Sequence, residues 1–462
     1  MAVKADVVII GGGLAGLTAA ALLCGKGLNL AIIEQEGDLG GRLRSIARDG
    51  FHLDAGLHCF HYGEQGPIGE LNQALELGLS FLHERDSIYI LDGKDRMVVP
   101  AEADSNPSDV PGFTPRQAER IRKWFAGVMQ TDPAPWKEKT VTEYLDETAA
   151  DDKLVRSYAG ALCLSLLGQN PDRVSAGLLI EHSRAVGHPG FHVSSIAGGP
   201  GRLIDALSAR IGTDHVSIML GCKVDEIEIE DKNVRRVVTA SEEYYPNAVI
   251  FTGPVQALPP LLGGDKVSGS FKRACRKTVP VAGIAVEMGL TSAISTIRGV
   301  MVDPEEGVIG RFPSNLDPTL APEGGQISSW LALVPPQDLQ DVKLARNHIM
   351  RLRRVIKRQF PEMAELVKWE RLRVIPLLAG SAPTPGQAAE KKMPATVKGL
   401  NNLFLAGDAI GATGILSGAA VSSAVTSAGI VQEYLAARAA KKARKAAAEA
   451  KEQEAAAEEK EE

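Results

Sequence analysis

A glycine-rich turn near the start of the chain restricts the folds open to it. The sequence Gly11-Gly12-Gly13-Leu14-Ala15-Gly16 follows an apolar, β-branched run at residues 7–10 and overlaps a stretch of helical composition at residues 14–26. A second apolar run, residues 28–33, ends at Glu34. This order of strand, glycine turn, helix and strand predicts a βαβ unit of an α/β fold.

Each glycine of the turn has a separate physical role. Gly11 permits the tight turn, Gly13 allows a phosphate to approach the free N–H groups at the helix start, and Gly16 allows close packing of helix and strand. Glu34 follows about 20 residues later, where a carboxylate accepts hydrogen bonds from ribose hydroxyls. The unit predicts a dinucleotide site rather than a purely structural turn, and it leaves NAD and FAD open.

Further motifs decide between the two dinucleotides. Asp38-Leu39-Gly40-Gly41-Arg42 follows the second strand, then Phe51-His52-Leu53-Asp54-Ala55-Gly56-Leu57-His58, and residues 402–418 supply another strand, turn and helix. Together they resemble the FAD-dependent family that includes phytoene desaturases, flavin amine oxidases and protoporphyrinogen oxidases. The resemblance covers the start, middle and end of the chain and implies that the cofactor is FAD.

The resemblance also implies individual cofactor contacts. Arg42 would lie near the phosphates, the backbone of Val224 against adenine, and Asp408 near the pyrophosphate and ribitol. A helix beginning at residues 414–416 would point its N-terminus at the flavin, whose reduced form carries negative charge that a helix N-terminus stabilises. The full predicted cofactor set is Gly11, Gly13, Gly16, Glu34, Gly41, Arg42, Gly56, Val224, Gly407, Asp408, Gly414, Ile415 and Leu416.

The expected architecture is an α/β fold, with a Rossmann-like FAD-binding domain and an inserted substrate domain of mixed sheet and helices. Residues 1–70, 191–253 and 398–435 are assigned to the FAD-binding domain, and residues 71–190 and 254–397 to the substrate domain. The remaining segment, 436–462, is a basic block followed by a glutamate-rich run without large apolar residues. It has nothing to bury and is predicted to be disordered or a solvated helix.

His58 is the predicted catalytic residue. It lies in Gly56-Leu57-His58-Cys59-Phe60-His61, and a similar string occurs in UDP-galactopyranose mutases. A histidine titrates near neutral pH and can shuttle a proton beside a flavin. The alternative is that His58 only hydrogen-bonds the backbone near the cofactor, and His61 is expected on the surface or behind the site.

The predicted reaction is transfer of hydride equivalents between a mainly apolar organic substrate and flavin, as in desaturases, saturases or oxidases. Flavin amine oxidases often carry a lysine in the strand that here reads Val281-Ala282-Gly283-Ile284-Ala285-Val286, and aromatic residues in the segment that here is 411–418. Both features are missing from this sequence, which weakens amine oxidation. The alternatives are a redox-neutral FAD isomerase or mutase, and a lipid-binding escort protein like the Rab GDP-dissociation inhibitors.

The composition of the chain limits the kinds of partner and metal site that are expected. The 462 residues carry a net charge of -6, which gives no global positive field for nucleic acid. The five cysteines are scattered and odd in number, so a disulfide framework or a zinc site is not expected, and no metal is predicted. Two charge-free stretches, 7–25 and 409–432, are interrupted by glycines and are predicted to be buried elements rather than membrane spans. The expected location is the cytoplasm, with an unknown electron acceptor and with peripheral membrane contact left open.

Overall fold

The computed structural model describes residues 2–54, 60–83, 88–99, 114–186, 193–263, 266–387 and 391–461. The strands in this part of the chain are, in order, β1 Ala2–Ile10, β2 Leu30–Ile33, β3 Ser45–Arg48, β4 Phe51–Asp54, β5 Phe81–His83, β6 Ile88–Asp92, β7 Asp95–Val99, β8 Ser194–Ile196, β9 Val216–Met219, β10 Val224–Glu230, β11 Asn233–Thr239, β12 Glu243–Phe251, β13 Val281–Leu290, β14 Met301–Asp303, β15 Val308–Arg311, β16 Gln326–Val334, β17 Val367–Ala379 and β18 Leu403–Leu405. The α-helices are α1 Leu14–Leu23, α2 Pro67–Leu75, α3 Pro115–Gln130, α4 Val141–Thr148, α5 Lys153–Leu167, α6 Ala176–Val186, α7 Gly201–Ile211, α8 Leu258–Leu261, α9 Gly269–Lys277, α10 Pro313–Leu316, α11 Val342–Gln359, α12 Met363–Leu366 and α13 Ser417–Glu461.

The first large sheet, sheet I, has the strand order β10-β11-β12-β1-β2-β9, with β18 beside β12. Strands β12, β1, β2 and β9 run parallel. The central strands are apolar on both faces because helices cover both sides of a parallel sheet. One face packs on α1, α7 and α13, through side chains such as Leu17, Leu203 and Val421. The opposite face packs on α8 and α9, through side chains such as Leu258 and Phe271.

The βαβ unit predicted at the start of the chain is confirmed. Strand β1 leads through the glycine turn into α1, and β2 returns parallel to β1 with Val7 opposite Leu30. The helix predicted to begin at residues 414–416 instead begins at Ser417. Leu416 has φ +50° and Gly414 has φ +86°. These left-handed backbone conformations keep the two residues outside a right-handed helix.

The second large sheet, sheet II, has the order β17-β13-β16-β15-β14-β6-β7. One of its faces packs against helices α3 to α6, through residues such as Leu162 and Leu179. Its other face packs against α11, through residues such as Leu352, Val355 and Ile356. The alternation of side chains along each strand therefore separates two cores, one on each side of the sheet.

The predicted domain boundaries stay predictions, but the packing adds detail at two of them. Leu71 and Phe81, on the substrate side of the 70/71 boundary, belong to the core under sheet I. Val255 and Phe271, on the substrate side of the 253/254 boundary, pack on the other face of that sheet. A composition change in the sequence does not report such packing.

Helix α13 continues from the core into the charged segment that begins at residue 436. It extends to Glu461, and the side chains of residues 436–449 are exposed. In the part of the chain that the structure describes, no helix has the length and apolar composition needed to cross a membrane.

Candidate active site

A cavity of about 1210 Å³ lies against both sheets. At the sheet I end it is lined by Gly11, Gly13, Glu34 and Val224. At the sheet II end its apolar walls form what we call the chamber: Tyr158, Leu162, Leu164, Leu166, Val281, Ile309, Leu331 and Ile375. Pockets for a single small ligand usually measure roughly 300–1,000 Å³. The cavity therefore has room for a dinucleotide together with an apolar molecule.

The space around each glycine of the turn distinguishes those that the fold requires from the one that leaves room for a ligand. Gly11 has φ +110°, and a Cβ there would lie 2.4 Å from the Thr252 hydroxyl oxygen. A Cβ on Gly16 would lie 1.9 Å from the Gly11 carbonyl oxygen. A Cβ on Gly13, in contrast, would meet no described atom within 4 Å and would project into the cavity. This bare backbone at the start of α1 fits a bound pyrophosphate.

Glu34 lies at the end of β2, where the sequence analysis places it, and it is buried. Its carboxylate accepts hydrogen bonds from the backbone N–H of Gly12 at 2.6 Å and from that of Glu36 at 2.8 Å. Val224 begins β10 and lines the cavity close to this end. The carboxylate beside the glycine turn offers hydrogen-bond acceptors of the kind that the ribose hydroxyls in the adenosine half of FAD require.

Arg42 and Asp408 form a bidentate ion pair in the site. The two guanidinium nitrogens donate to the two carboxylate oxygens at 2.8 Å each. Asp408 also accepts from the backbone N–H of Gly380 at 2.7 Å, and Lys392 donates to its carbonyl oxygen at 2.9 Å. Burial alone would raise the pKa of Asp408, but Arg42, Gly380 and Lys392 together hold that pKa below its usual value. Asp408 is therefore ionised at neutral pH and fixes Arg42 in place.

The other predicted cofactor residues lie in three places. Gly41 is in a turn with φ +54°, and an added Cβ would approach the Gly13 Cα at 3.3 Å. Gly407 donates its N–H to the Ser423 hydroxyl at 2.8 Å and lines the cavity. Leu416 also lines the cavity. The two residues before it are not among the cavity-lining residues: Gly414 lies near Pro67, and Ile415 packs, as Leu416 also does, against the core beside sheet II.

Gly56 and His58 lie outside the described residues, so their roles stay predictions. His61, a few residues later, is buried, and burial lowers its pKa to about 4. It is therefore neutral at physiological pH and sits inside the protein rather than on the surface. Among the described residues, no group of three or more possible metal ligands is found.

A row of polar residues crosses sheet II next to the chamber. The strand registers place Arg311 opposite Ser329, Ser329 opposite Glu287, and Glu287 opposite Arg371. Partners in antiparallel strands share one face, so these four side chains form a line, which we call the polar row. The next line on the same face holds Ile309, Leu331, Ala285 and Arg373. The polar row is therefore adjacent to the apolar wall of the chamber.

Three of the four residues of the polar row are charged, and all but the half-buried Arg371 are buried. Glu287 accepts from the Arg371 Nε at 2.7 Å, and Arg371 also donates to the Asp54 carbonyl oxygen at 3.2 Å. Arg311 is buried and lines the large cavity as well as a small polar one that Asp54 and Ser329 also line. Burial raises the pKa of Asp54 to about 7, and the Glu287 carboxylate adds to the rise, while Arg311, Ser45 and Arg371 oppose it. Asp54 can therefore be protonated or ionised near neutral pH.

Sequence reasoning missed several of these residues. Thr252 braces the glycine turn by donating to the carbonyl oxygens of Ile10 at 2.9 Å and Gly11 at 3.1 Å. Gly380 and Lys392 hold Asp408, and Glu287 completes the polar row. The position of Thr252, directly after strand β12, was the available signal for it. The others carry no motif, because their partners are distant in the sequence.

The chain is similar to several known proteins. The family model for flavin containing amine oxidoreductase matches residues 14–432. Human all-trans-retinol 13,14-reductase is 36% identical over 94 residues, which is 20% of this chain and 15% of the human enzyme. Prolycopene isomerase 1 from an Oncidium hybrid cultivar is 21% identical over 481 residues, covering 87% of this chain and 80% of that protein. The structure of an oxidoreductase from Methanosarcina mazei superimposes with a TM-score of 0.75 at 18% identity, over 92% of this chain and 99% of the other.

Proposed function

The chain belongs to the flavin containing amine oxidoreductase family and is an FAD-dependent oxidoreductase, and from this premise we propose that it saturates or desaturates a carbon–carbon bond of a mainly apolar molecule. The observation that carries the proposal is the single cavity that joins the glycine turn to the chamber. A ligand at the turn and a molecule in the chamber share this one space. Its apolar walls suit a substrate without multiple charges.

The chain's own residues would hold FAD along the cavity. Glu34 would bind the ribose, and the backbone at Gly13 would contact the pyrophosphate. The pair of Arg42 and Asp408 would orient the pyrophosphate and the ribitol next to the flavin ring. Bound FAD would supply the redox chemistry, which is acceptance or delivery of a hydride equivalent. The role of the protein is then to place a carbon–carbon bond against it and to keep water away.

Saturation or desaturation also moves a proton, because two hydrogens join or leave the substrate and only one travels as hydride. The carboxyl of Asp54 can hold that proton, since its pKa is raised to about 7 by burial. His58 remains the other proposed proton carrier. Both residues precede Phe60 in one short segment, so the two roles have to be separated by substitution.

The strands support carbon chemistry over amine oxidation. Strand β13 reads VAGIAVEMGL, without the lysine found in many flavin amine oxidases, and it is buried along its whole length. The polar row offers a place for one polar substituent of the substrate, beside otherwise apolar walls. A long apolar molecule with one polar end fits this combination.

The test uses FAD-loaded protein under anaerobic conditions. We expect all-trans-retinol, as a conjugated apolar probe, to reoxidise the chemically reduced flavin or to reduce the oxidised one, and benzylamine to leave its absorbance unchanged. Rapid bleaching by benzylamine and inertness toward polyenes would contradict the proposal. Asp54→Asn and His58→Ala, each with normal FAD content, then assign the proton carrier, because general acid–base help is worth roughly 100-fold or more in rate.

A second candidate function is redox-neutral isomerisation of a double bond with FAD kept reduced. It is favoured by the similarity to a prolycopene isomerase over 87% of this chain. The two functions differ in electron balance. An isomerase converts many substrate molecules per reduced flavin without consuming reductant, whereas a saturase consumes one reducing equivalent pair per product.

The proposed location is the cytoplasm. Cys24, Cys163, Cys222 and Cys275 are free thiols in the described chain, as expected in a reducing compartment. The electron acceptor is proposed to be oxygen or a quinone, and comparison of flavin reoxidation rates with each of them would identify it.

A further inference from the structure

Helix α11 presents an unusual surface to solvent. It contains seven Lys and Arg residues and no Asp or Glu between Val342 and Gln359. At about 100° per residue, all of its exposed positions except Leu344 fall in one sector, which we call the basic face: Val342, Lys343, Arg346, Asn347, Met350, Arg353, Arg354 and Lys357. On the opposite side of the helix, Leu352, Val355 and Ile356 pack on sheet II.

Most charges of the basic face are not neutralised by the protein. Arg353 pairs with Glu370, while Arg351 and Arg358, beside the face, pair with Glu306 and Asp303. Among the described residues, no carboxylate forms an ion pair with Lys343, Arg346, Arg354 or Lys357. These four cations are therefore available to an external anion.

Apolar side chains accompany these cations. Val342 is 77% exposed and Met350 is 54% exposed, and both belong to the basic face. Met350 lies among the cations at the middle of the sector. Exposed apolar side chains among unpaired cations suit a surface that is both anionic and apolar.

The edge strand β17 carries two more exposed apolar residues. Leu372 and Val374 are opposite Val286 and Ile284, which belong to the core under α11. The two edge residues are thus on the sheet face that α11 covers, but they are 41% and 49% exposed. Val374 also lines the large cavity. Val374 therefore exposes an apolar side chain at the edge of that cavity.

We propose that the basic face of α11, together with Leu372 and Val374, docks on an anionic membrane surface. The cations pair with lipid phosphates, and their aliphatic stems and the apolar side chains enter the headgroup region. Docking places the edge of the cavity next to the phase in which apolar molecules dissolve. The absence of aromatic residues from this face argues against base stacking and therefore against RNA as the partner.

The test is flotation of the FAD-loaded, full-length protein with vesicles of phosphatidylcholine alone and of phosphatidylcholine mixed with phosphatidylglycerol. We expect binding to the mixed vesicles only, and weaker binding as salt is added. Arg346→Glu/Arg354→Glu/Lys357→Glu should weaken this binding at least about tenfold. Val342→Ser/Met350→Ser should weaken it less and should leave the salt dependence intact.

A matched control comes from α9, which is also basic. Arg273→Glu/Arg276→Glu/Lys277→Glu changes the net charge by the same amount on a helix that packs on sheet I. It should retain vesicle binding within about twofold. FAD content and the far-ultraviolet circular dichroism spectrum confirm that each variant is folded.

Three outcomes would overturn the proposal. The first is equal binding to neutral and anionic vesicles, or binding to neither. The second is an equal loss in the α9 variant, which would indicate a general charge effect. The third is binding of single-stranded RNA through the α11 cations without binding of vesicles. None of these outcomes depends on the reaction that the enzyme catalyses.

Discussion

Sheet I and sheet II build their parts of the site in different ways. At sheet I the key groups come from one turn and the strand after it, so Gly11, Gly13 and Glu34 are close in sequence as well as in space. At sheet II the polar row takes one residue from each of four strands. The difference teaches that the groups around the glycine turn are set by local sequence, whereas the groups of the polar row are brought together by strand register.

The two regions also use charge differently. Around the glycine turn, the charge is that of one carboxylate, Glu34, which accepts two backbone hydrogen bonds. Across sheet II, Glu287 and Arg371 form a buried ion pair, which has lost its hydration and needs an intact partner. We therefore expect substitutions at sheet II to affect stability, and those at the glycine turn to divide between stability and FAD affinity.

The largest effect is expected at the buried ion pair. Arg371→Met leaves the Glu287 carboxylate buried without its partner and should lower the free energy of unfolding by about 3–5 kcal/mol. Chemical denaturation measures the change. Arg371→Met/Glu287→Leu should recover much of the loss, and Arg236→Met, in an exposed ion pair of sheet I with Glu228 and Glu243, should have a far smaller effect. Equal losses of unfolding free energy in Arg371→Met and Arg236→Met would show that the two sheets do not differ in this respect.

Gly16→Ala should be the next in size. Its Cβ would lie 1.9 Å from a backbone carbonyl oxygen, so strand and helix must separate. We expect a loss of about 3 kcal/mol in the free energy of unfolding, as for a severely overpacked core. Gly37→Ala is the control, because a Cβ there meets no described atom within 4 Å. Gly13→Ala should spare stability and lower FAD affinity; a stability loss like that of Gly16→Ala would contradict our assignment of Gly13 to the ligand.

Glu34→Ala should act on the cofactor. It removes a buried carboxylate that accepts two backbone hydrogen bonds, and FAD binding should weaken by about 1–3 kcal/mol. Fluorescence titration of apoprotein with FAD measures this. Glu36→Ala, which removes a neighbouring exposed carboxylate, is the matched control. Unchanged FAD affinity in the Glu34 variant would show that the ribose binds elsewhere.

Asp54, which lies on β4 beside the polar row, should make the stability of the protein depend on pH. Its pKa rises from 3.8 to about 7 on folding, so the stability it contributes is present below pH 3.8 and is lost as pH rises towards 7. Compared with Asp54→Asn, the wild type should lose unfolding free energy over this range. Denaturation of both proteins at several pH values tests this. Parallel curves of unfolding free energy against pH would show that the pKa of Asp54 is not raised in the folded protein.

The smallest effect is expected from the end of α13. Deletion after Leu435 removes exposed residues and surface ion pairs such as that of Lys445 with Glu449. The free energy of unfolding should change by less than about 1 kcal/mol. A longer deletion that starts at Val431 should be clearly destabilising, because Val431 is buried and Tyr434 and Leu435 pack against the core of sheet I. A large loss from the shorter deletion would reveal docking of the charged segment.

The sequence by itself determined the βαβ unit, the glycine turn and the family. These features depend on groups within a few dozen residues, where a glycine at a tight turn or a carboxylate at a strand end has one dominant physical role. Residues 414–416 mark the limit of such reasoning, because a pattern of glycines locates a helix start only to within a few positions. In this chain, left-handed backbone at Gly414 and Leu416 moves that start to Ser417.

Only the tertiary structure decided the rest of the site. Arg42 meets Asp408 across 366 positions of sequence, and Glu287 meets Arg371 across 84. Contacts of this kind depend on strand order and register, and a register shift of one residue would turn Arg311, Glu287 and Arg371 to the opposite face of sheet II. Neither composition nor a local motif encodes that choice. It is fixed when the apolar residues of both faces are buried together, and that burial also places Asp54 where its pKa is raised.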